Sequence, residues 1–129
     1  MNRNLDQIRA DGALKAAGKF APADIAKLPP LILSNGLLAT IAFAIEPKAQ
    51  GGLKRPEFAR AMDRVAGHLA DPLIGRLNTE NSTASLMLSE LVSKESDSQR
   101  LIAATAEALA FLGYLKRFAC KTTGTTSNT

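Results

Sequence analysis

Apolar residues recur at three- and four-residue spacings along most of the chain, and strand-like alternation is sparse, so the pattern predicts helices throughout. The first runs from about Leu5 to Lys19, with Leu5, Ile8, Gly12, Ala13 and Ala16 on one face. Asn4 is placed to cap it, and Gly18 loosens its end. Pro22 and Asp24 suit the first turn of a short second helix. Leu28-Pro29-Pro30 is expected to end that helix, because proline restricts the residue before it and has no N–H to donate. The same prolines can open the next helix, Pro30–Ile45, which is apolar nearly all round and so is expected to be buried between neighbours. Leu28–Ile45 therefore reads as the organising segment, and Glu46-Pro47 stops it.

Lys48–Arg55 reads as a loop centred on Gly51-Gly52. Pro56 opens an amphipathic helix to about Leu69, with Phe58, Met62, Val65 and Leu69 inward and Arg55, Arg60, Asp63 and Arg64 left for solvent or a partner. Asp71-Pro72 breaks it, a short turn follows through Leu77, and Asn78–Ser82 is a polar linker. A helix over Ala84–Ser93 carries Leu86, Leu88 and Leu91. Ser96 and Gln99 match a capping box at the start of the last helix. That helix runs to about Cys120 with Leu101, Thr105, Ala108, Leu112, Leu115 and Ala119 in one stripe, and the low-complexity stretch Thr122–Thr129 is expected to be disordered. The fold class is all-α: a single compact bundle of about five to seven helices around a central apolar helix. The domain covers 1–121 and the tail 122–129.

Composition narrows this little. Hydrophobic residues make up 46% of the 129, enough for one core without staples. The formal charge of +4 permits contact with nucleic acid or an acidic surface without requiring it. The single cysteine, Cys120, rules out an internal disulfide. Met1–Asp11 has no apolar core of the secretory kind, and Leu31–Ile45 is shorter than the roughly 20 residues that span a bilayer, so a cytoplasmic location and no membrane partner are expected.

Candidate chemistry is thin. His68 lacks neighbours at metal-ligand spacing and reads as structural. Cys120 has no base beside it. Gly12 to Phe20 superficially looks like a phosphate loop, but five residues separate its glycines where the Walker pattern has four, and Phe20 stands in place of a magnesium-binding Ser or Thr. Asn81-Ser82-Thr83 spells a glycosylation sequon only. No catalytic residue, metal or cofactor is expected. The basic residues are the better candidates for contact with phosphate. Lys116, Arg117 and Lys121 cluster at the end of the last helix, where they also complement its dipole. Lys48, Lys54 and Arg55 lie on the glycine loop, and Lys27 stands just before the first proline.

Two stretches carry more. Leu28-Pro29-Pro30-Leu31-Ile32-Leu33-Ser34-Asn35-Gly36-Leu37 is followed, far downstream, by Thr105-Ala106-Glu107-Ala108-Leu109 and Leu112-Gly113-Tyr114-Leu115-Lys116-Arg117-Phe118-Ala119. In this order they resemble the small helical subunit of type III-B CRISPR effector complexes, the Cmr-module RNA-targeting machinery. The resemblance implies a non-catalytic subunit of an antiviral ribonucleoprotein. Its partners would be the backbone and large subunits, copies of itself, guide RNA and target RNA, with a basic face toward the duplex. Pro29, Ile32, Asn35, Gly36, Leu37, Glu107 and Phe118 form the structural signature. Gly36 is expected to admit a neighbouring helix and Asn35 to satisfy a buried backbone group. Tyr114 and Gly113 depart from the family, where Trp and a polar residue are common, and are expected to loosen the end of the last helix. Lys48–Glu95 matches in helical character alone. A protein-only helical adaptor and a helix-turn-helix DNA binder remain as alternatives, although the glycine loop before Pro56 fits the latter poorly.

Overall fold

The computed structural model describes the backbone of residues 3–127 and the side chains of residues 3–119. Cys120, Lys121 and the tail expected at 122–129 lie outside the described side chains. Six helices and no strand are found among the described residues: α1 Leu5–Ala17, α2 Pro22–Asn35, α3 Leu37–Ala44, α4 Pro56–Ala70, α5 Ala84–Val92 and α6 Ser98–Ser127.

The first helix starts as its sequence requires. Asn4 Oδ1 accepts the Gln7 N–H at 2.8 Å, and Gln7 Oε1 accepts the Asn4 N–H at 2.9 Å. Two amides that the helix leaves without partners are thereby satisfied reciprocally. Ala13, Ala16 and Ala17 are buried against α6 and its neighbours, and their small size allows close packing.

The central segment differs from expectation. The prolines do not end α2, which passes through Pro29 and Pro30 to Asn35. Each proline forfeits one hydrogen bond. Ile25, Leu28 and Ile32, all in the core, hold the helix together through packing. The break falls at Gly36, where φ is +91° and ψ 162°. Its N–H donates to Ile32 O at 2.8 Å, ending α2. Its carbonyl accepts from Thr40 Oγ1 at 2.8 Å, supporting the start of α3. A Cβ built on Gly36 would meet nothing within 4 Å, so backbone conformation, not helix approach, calls for glycine here. Asn35 is exposed and satisfies no buried group. Nor is the segment buried all round: Leu37, Ile41 and Ala44 enter the core, whereas Leu33 is 74% exposed and Phe43 37%. The bend turns one stripe of each short helix inward and leaves the other side open.

The loop after α3 folds back on itself. Pro47 and Leu53 form an isolated antiparallel bridge, and Gly51 and Gly52 turn the chain at positive φ. The amphipathic pattern of α4 is reproduced, with Met62, Val65 and Leu69 fully buried and Phe58 partly so. In α5 the deepest side chain is Met87, and Leu86 faces outward. The cap of α6 is shifted by one residue from the expected box. Asp97 Oδ1 accepts the Arg100 N–H at 2.8 Å, while the Ser96 hydroxyl is buried without a partner. A carboxylate gains at a helix N-terminus from the dipole as well as from the hydrogen bond. From there α6 packs against α1, α2 and α4, presenting Ala104, Ala108, Phe111, Leu112, Leu115 and Ala119 to the core.

Gly113 sits inside α6 with open space where a Cβ would go. Gly113→Ala is expected to stabilise the protein by about 0.5–1 kcal/mol, since alanine restricts the unfolded chain and suits a helix. Denaturant unfolding would show this as a higher midpoint with an unchanged slope.

Candidate nucleic-acid interface

The inner stripe of α6 is apolar except at Glu107, whose side chain is 2% exposed. A carboxylate there needs partners, and two other helices supply them. Arg9 of α1 donates through Nε to Oε2 at 2.7 Å and through Nη2 to Oε1 at 2.8 Å. This forked pair is directional as well as charged. His68 of α4 meets Oε2 through Nε2 at 2.8 Å, and its ring stacks on Phe111 with centroids 4.5 Å apart. The network joins α1, α4 and α6 at one point.

Its electrostatics are consistent. Burial alone would push the Glu107 carboxyl up, but hydrogen bonds from Arg9 and His68 and the nearby positive charge hold it below the ordinary carboxylate range. Burial pushes His68 below the usual histidine value, against the pull of Glu107. His68 is therefore neutral near pH 7. Because an ionised carboxylate only accepts, Nε2 carries the proton and Nδ1 keeps its lone pair.

The pH dependence follows in sign. A histidine whose folded value lies below its unfolded one binds its proton more readily when the chain is unfolded. Stability then falls as pH drops below about 6.5. Glu107, also held low, contributes stability that is present above about pH 4.3 and is lost as pH falls further toward its folded value. Acid unfolding is therefore expected to begin with a shallow loss below pH 6.5 and to steepen below pH 4.5. His68 is the only histidine. His68→Gln, which can still donate to Glu107, should flatten the upper phase when melting temperature is followed against pH.

The basic residues singled out from the sequence divide by environment. Lys116 and Arg117 are exposed on α6 and make no ion pair among the described residues. Beside them Tyr114 stacks on Phe118 at 5.9 Å and donates its hydroxyl to Asp6 of α1. This contact ties the two helices where loosening was expected. Lys48 is exposed in the loop and Lys27 on α2. Lys54 and Arg55 come together on Glu46, at 2.8 and 3.0 Å. Arg55 also donates to Phe43 O at 3.0 Å and covers the Phe43 ring at 3.6 Å. Arg55 thereby ties the loop to α3, and Lys54 closes the loop onto Glu46. Of the signature residues, Ile32, Leu37 and Glu107 are buried, Pro29 and Phe118 partly buried, and Asn35 and Gly36 exposed.

Sequence reasoning missed one grouping. A cleft of about 700 Å³ between α1 and α4 collects Arg3, Lys15, Lys19, Arg60 and Arg64, with His68 and Phe111 also lining it. Arg60 and Arg64 at i, i+4 were legible as one polar face. Their gathering in one cleft with Lys19, just beyond the end of α1, was not.

Among the described residues no helix is long and apolar enough to cross a membrane, and no three His, Cys, Asp or Glu side chains gather as metal ligands would. Apolar helices locked by internal ionic contacts, with cations on outer faces, define a small helical packing module. A family model described as CRISPR-associated protein (Cas_Cmr5) matches residues 6–121. The chain belongs to this family, the small subunit of the type III-B Cmr module. Searches of curated proteins and of solved structures gave no match.

Proposed function

We propose that the protein is a non-catalytic structural subunit of a type III-B CRISPR ribonucleoprotein, acting in the cytoplasm in antiviral defence. It stacks beside the backbone and large subunits and against its own copies, and it contacts guide–target RNA through a basic face. The family match over residues 6–121 carries this reading. Lys116 and Arg117 support the RNA contact, because they are exposed on a helix anchored from within by the Glu107 network. Such contacts read the backbone and leave sequence to base pairing. Lys54 and Arg55 contribute less, being engaged by Glu46.

Charge reversal at Lys116, Arg117 and Lys121 in the reconstituted effector is expected to weaken target-RNA retention about tenfold and to flatten its salt dependence, with the subunit's melting temperature unchanged. Wild-type retention by that variant at all salt concentrations would remove the basic-face assignment. The outward Leu33 and Phe43 favour a second reading, a protein-only adaptor, in which the same variant assembles and holds RNA normally.

A further inference from the structure

The cleft between α1 and α4 lies apart from the α6 cations, and its lining is chemically mixed. Lys19, Arg60 and Arg64 make no ion pair among the described residues. Arg3 and Lys15 share Asp11, each at 3.1 Å. The other two carboxylates of the cleft already serve the backbone: Asp63 accepts the Ala84 N–H at 2.8 Å, and Asp71 accepts the Leu73 N–H at 2.9 Å. Five cations thus face three occupied carboxylates. Deeper in, the His68 side chain is 4% exposed, with Nε2 committed to Glu107. Its Nδ1 has no partner among the described residues and lies on the side of Gly12, where an added Cβ would stand 3.7 Å from it and 3.5 Å from the Phe111 ring. Glycine leaves a methyl-sized gap there, wide enough for a single donor group to reach the ring nitrogen.

We propose that this cleft is a nucleotide-binding site, taking a phosphate on Lys19, Arg60 and Arg64 and a base or ribose hydrogen-bond donor on His68 Nδ1. The rim supplies charge for phosphate. The interior supplies apolar and aromatic surface with one acceptor. A nucleobase amino or ring N–H meets that acceptor, whereas an acidic peptide would bring a carboxylate against a lone pair. A free nucleotide and a nucleotide within an RNA strand share this chemistry, the second case resting on the RNA-contact reading above.

The test uses the full chain, labelled with ¹⁵N and titrated with AMP, UMP, inorganic phosphate, polyglutamate and a single-stranded hexanucleotide. Saturable shifts of the amides of Gly12 and Gly67, both of which line the cleft, and of His68 Nδ1 are expected. Shifts with AMP or UMP identify a free nucleotide as ligand, and shifts with the hexanucleotide alone identify a nucleotide within a strand. Arg60→Glu with Arg64→Glu should weaken binding about tenfold or more. Gly12→Leu, which fills the cleft without altering charge, should do the same, while Lys94→Glu, at an exposed position outside the cleft, should not. Unmoved resonances, equal shifts with polyglutamate or phosphate alone, or unchanged affinity in both cleft variants would overturn the site. RNA held through α6 with the cleft silent removes this inference and leaves the RNA-contact reading intact. Mononucleotide binding in the cleft, with an assembled complex indifferent to the α6 cations, does the reverse.

Discussion

Glu107→Ala is expected to destabilise the protein by about 3 kcal/mol, toward the lower end of the roughly 3–5 kcal/mol typical for breaking a buried ion pair. The loss has two parts. The Arg9 guanidinium, partly exposed, can turn toward water, so its share is small. His68 cannot: its Nε2–H is left in the core with no acceptor beside Phe111, and the missing carboxylate leaves a void. For a chain of this size the melting temperature should fall by roughly 10 °C. Glu107→Gln should cost less, because one carbonyl oxygen can still accept from Arg9 or His68, though not from both in the native pattern. Urea unfolding of both variants, with Arg9→Ala to close a double-mutant cycle, measures the coupling. A loss under about 1 kcal/mol for Glu107→Ala would mean that the network does not hold the three helices together.

Gly36→Ala is expected to cost about 1–3 kcal/mol by a different route. No neighbouring atom would be struck, since the space around the position is open. The cost is the backbone itself: φ +91° with ψ 162° is a region that an L-residue with a Cβ enters only under strain. Asparagine should fare no better, because its tolerance is for the left-handed helical region and not for this one. If the variant relieves the strain by straightening, α2 and α3 fuse, and Leu37 and Ile41 leave the core. Equilibrium unfolding gives the magnitude. Amide exchange at residues 37–44 shows which response occurs, and a stability equal to wild type would exclude the strain argument.

Much of the fold was legible because it rests on local rules. The α1 cap is spelled by Asn4 and Gln7 three residues apart. The inner faces of α4 and α6 follow from helical periodicity, and Met62, Val65, Leu112 and Leu115 are buried where that pattern places them. The family resemblance likewise lay in contiguous stretches at 28–37 and 105–119, and the family match over 6–121 agrees with it. The prolines show where local rules stop. Pro29 and Pro30 carry a strong helix-ending signal, yet packing of Leu28 and Ile32 outweighs it, and the break moves to Gly36. The shift of the α6 cap from Ser96 to Asp97 is a smaller case of two adequate signals one residue apart.

The candidate contact residues divide in the same way. Exposure of Lys116 and Arg117 could be read from the polar side of a helix. The engagement of Lys54 and Arg55 by Glu46 depends on a loop closure that the sequence does not display. The sequence by itself determined helix content, the main apolar stripes and the family. Tertiary structure alone decided that Arg9, His68 and Glu107 meet, across separations of 98 and 39 residues, and that Lys19 faces Arg60 and Arg64 over an open cleft. The physical reason is range. Helix propensity, capping and periodicity act within a few turns, whereas a buried ion network and a cleft exist only once distant segments have closed around the same core.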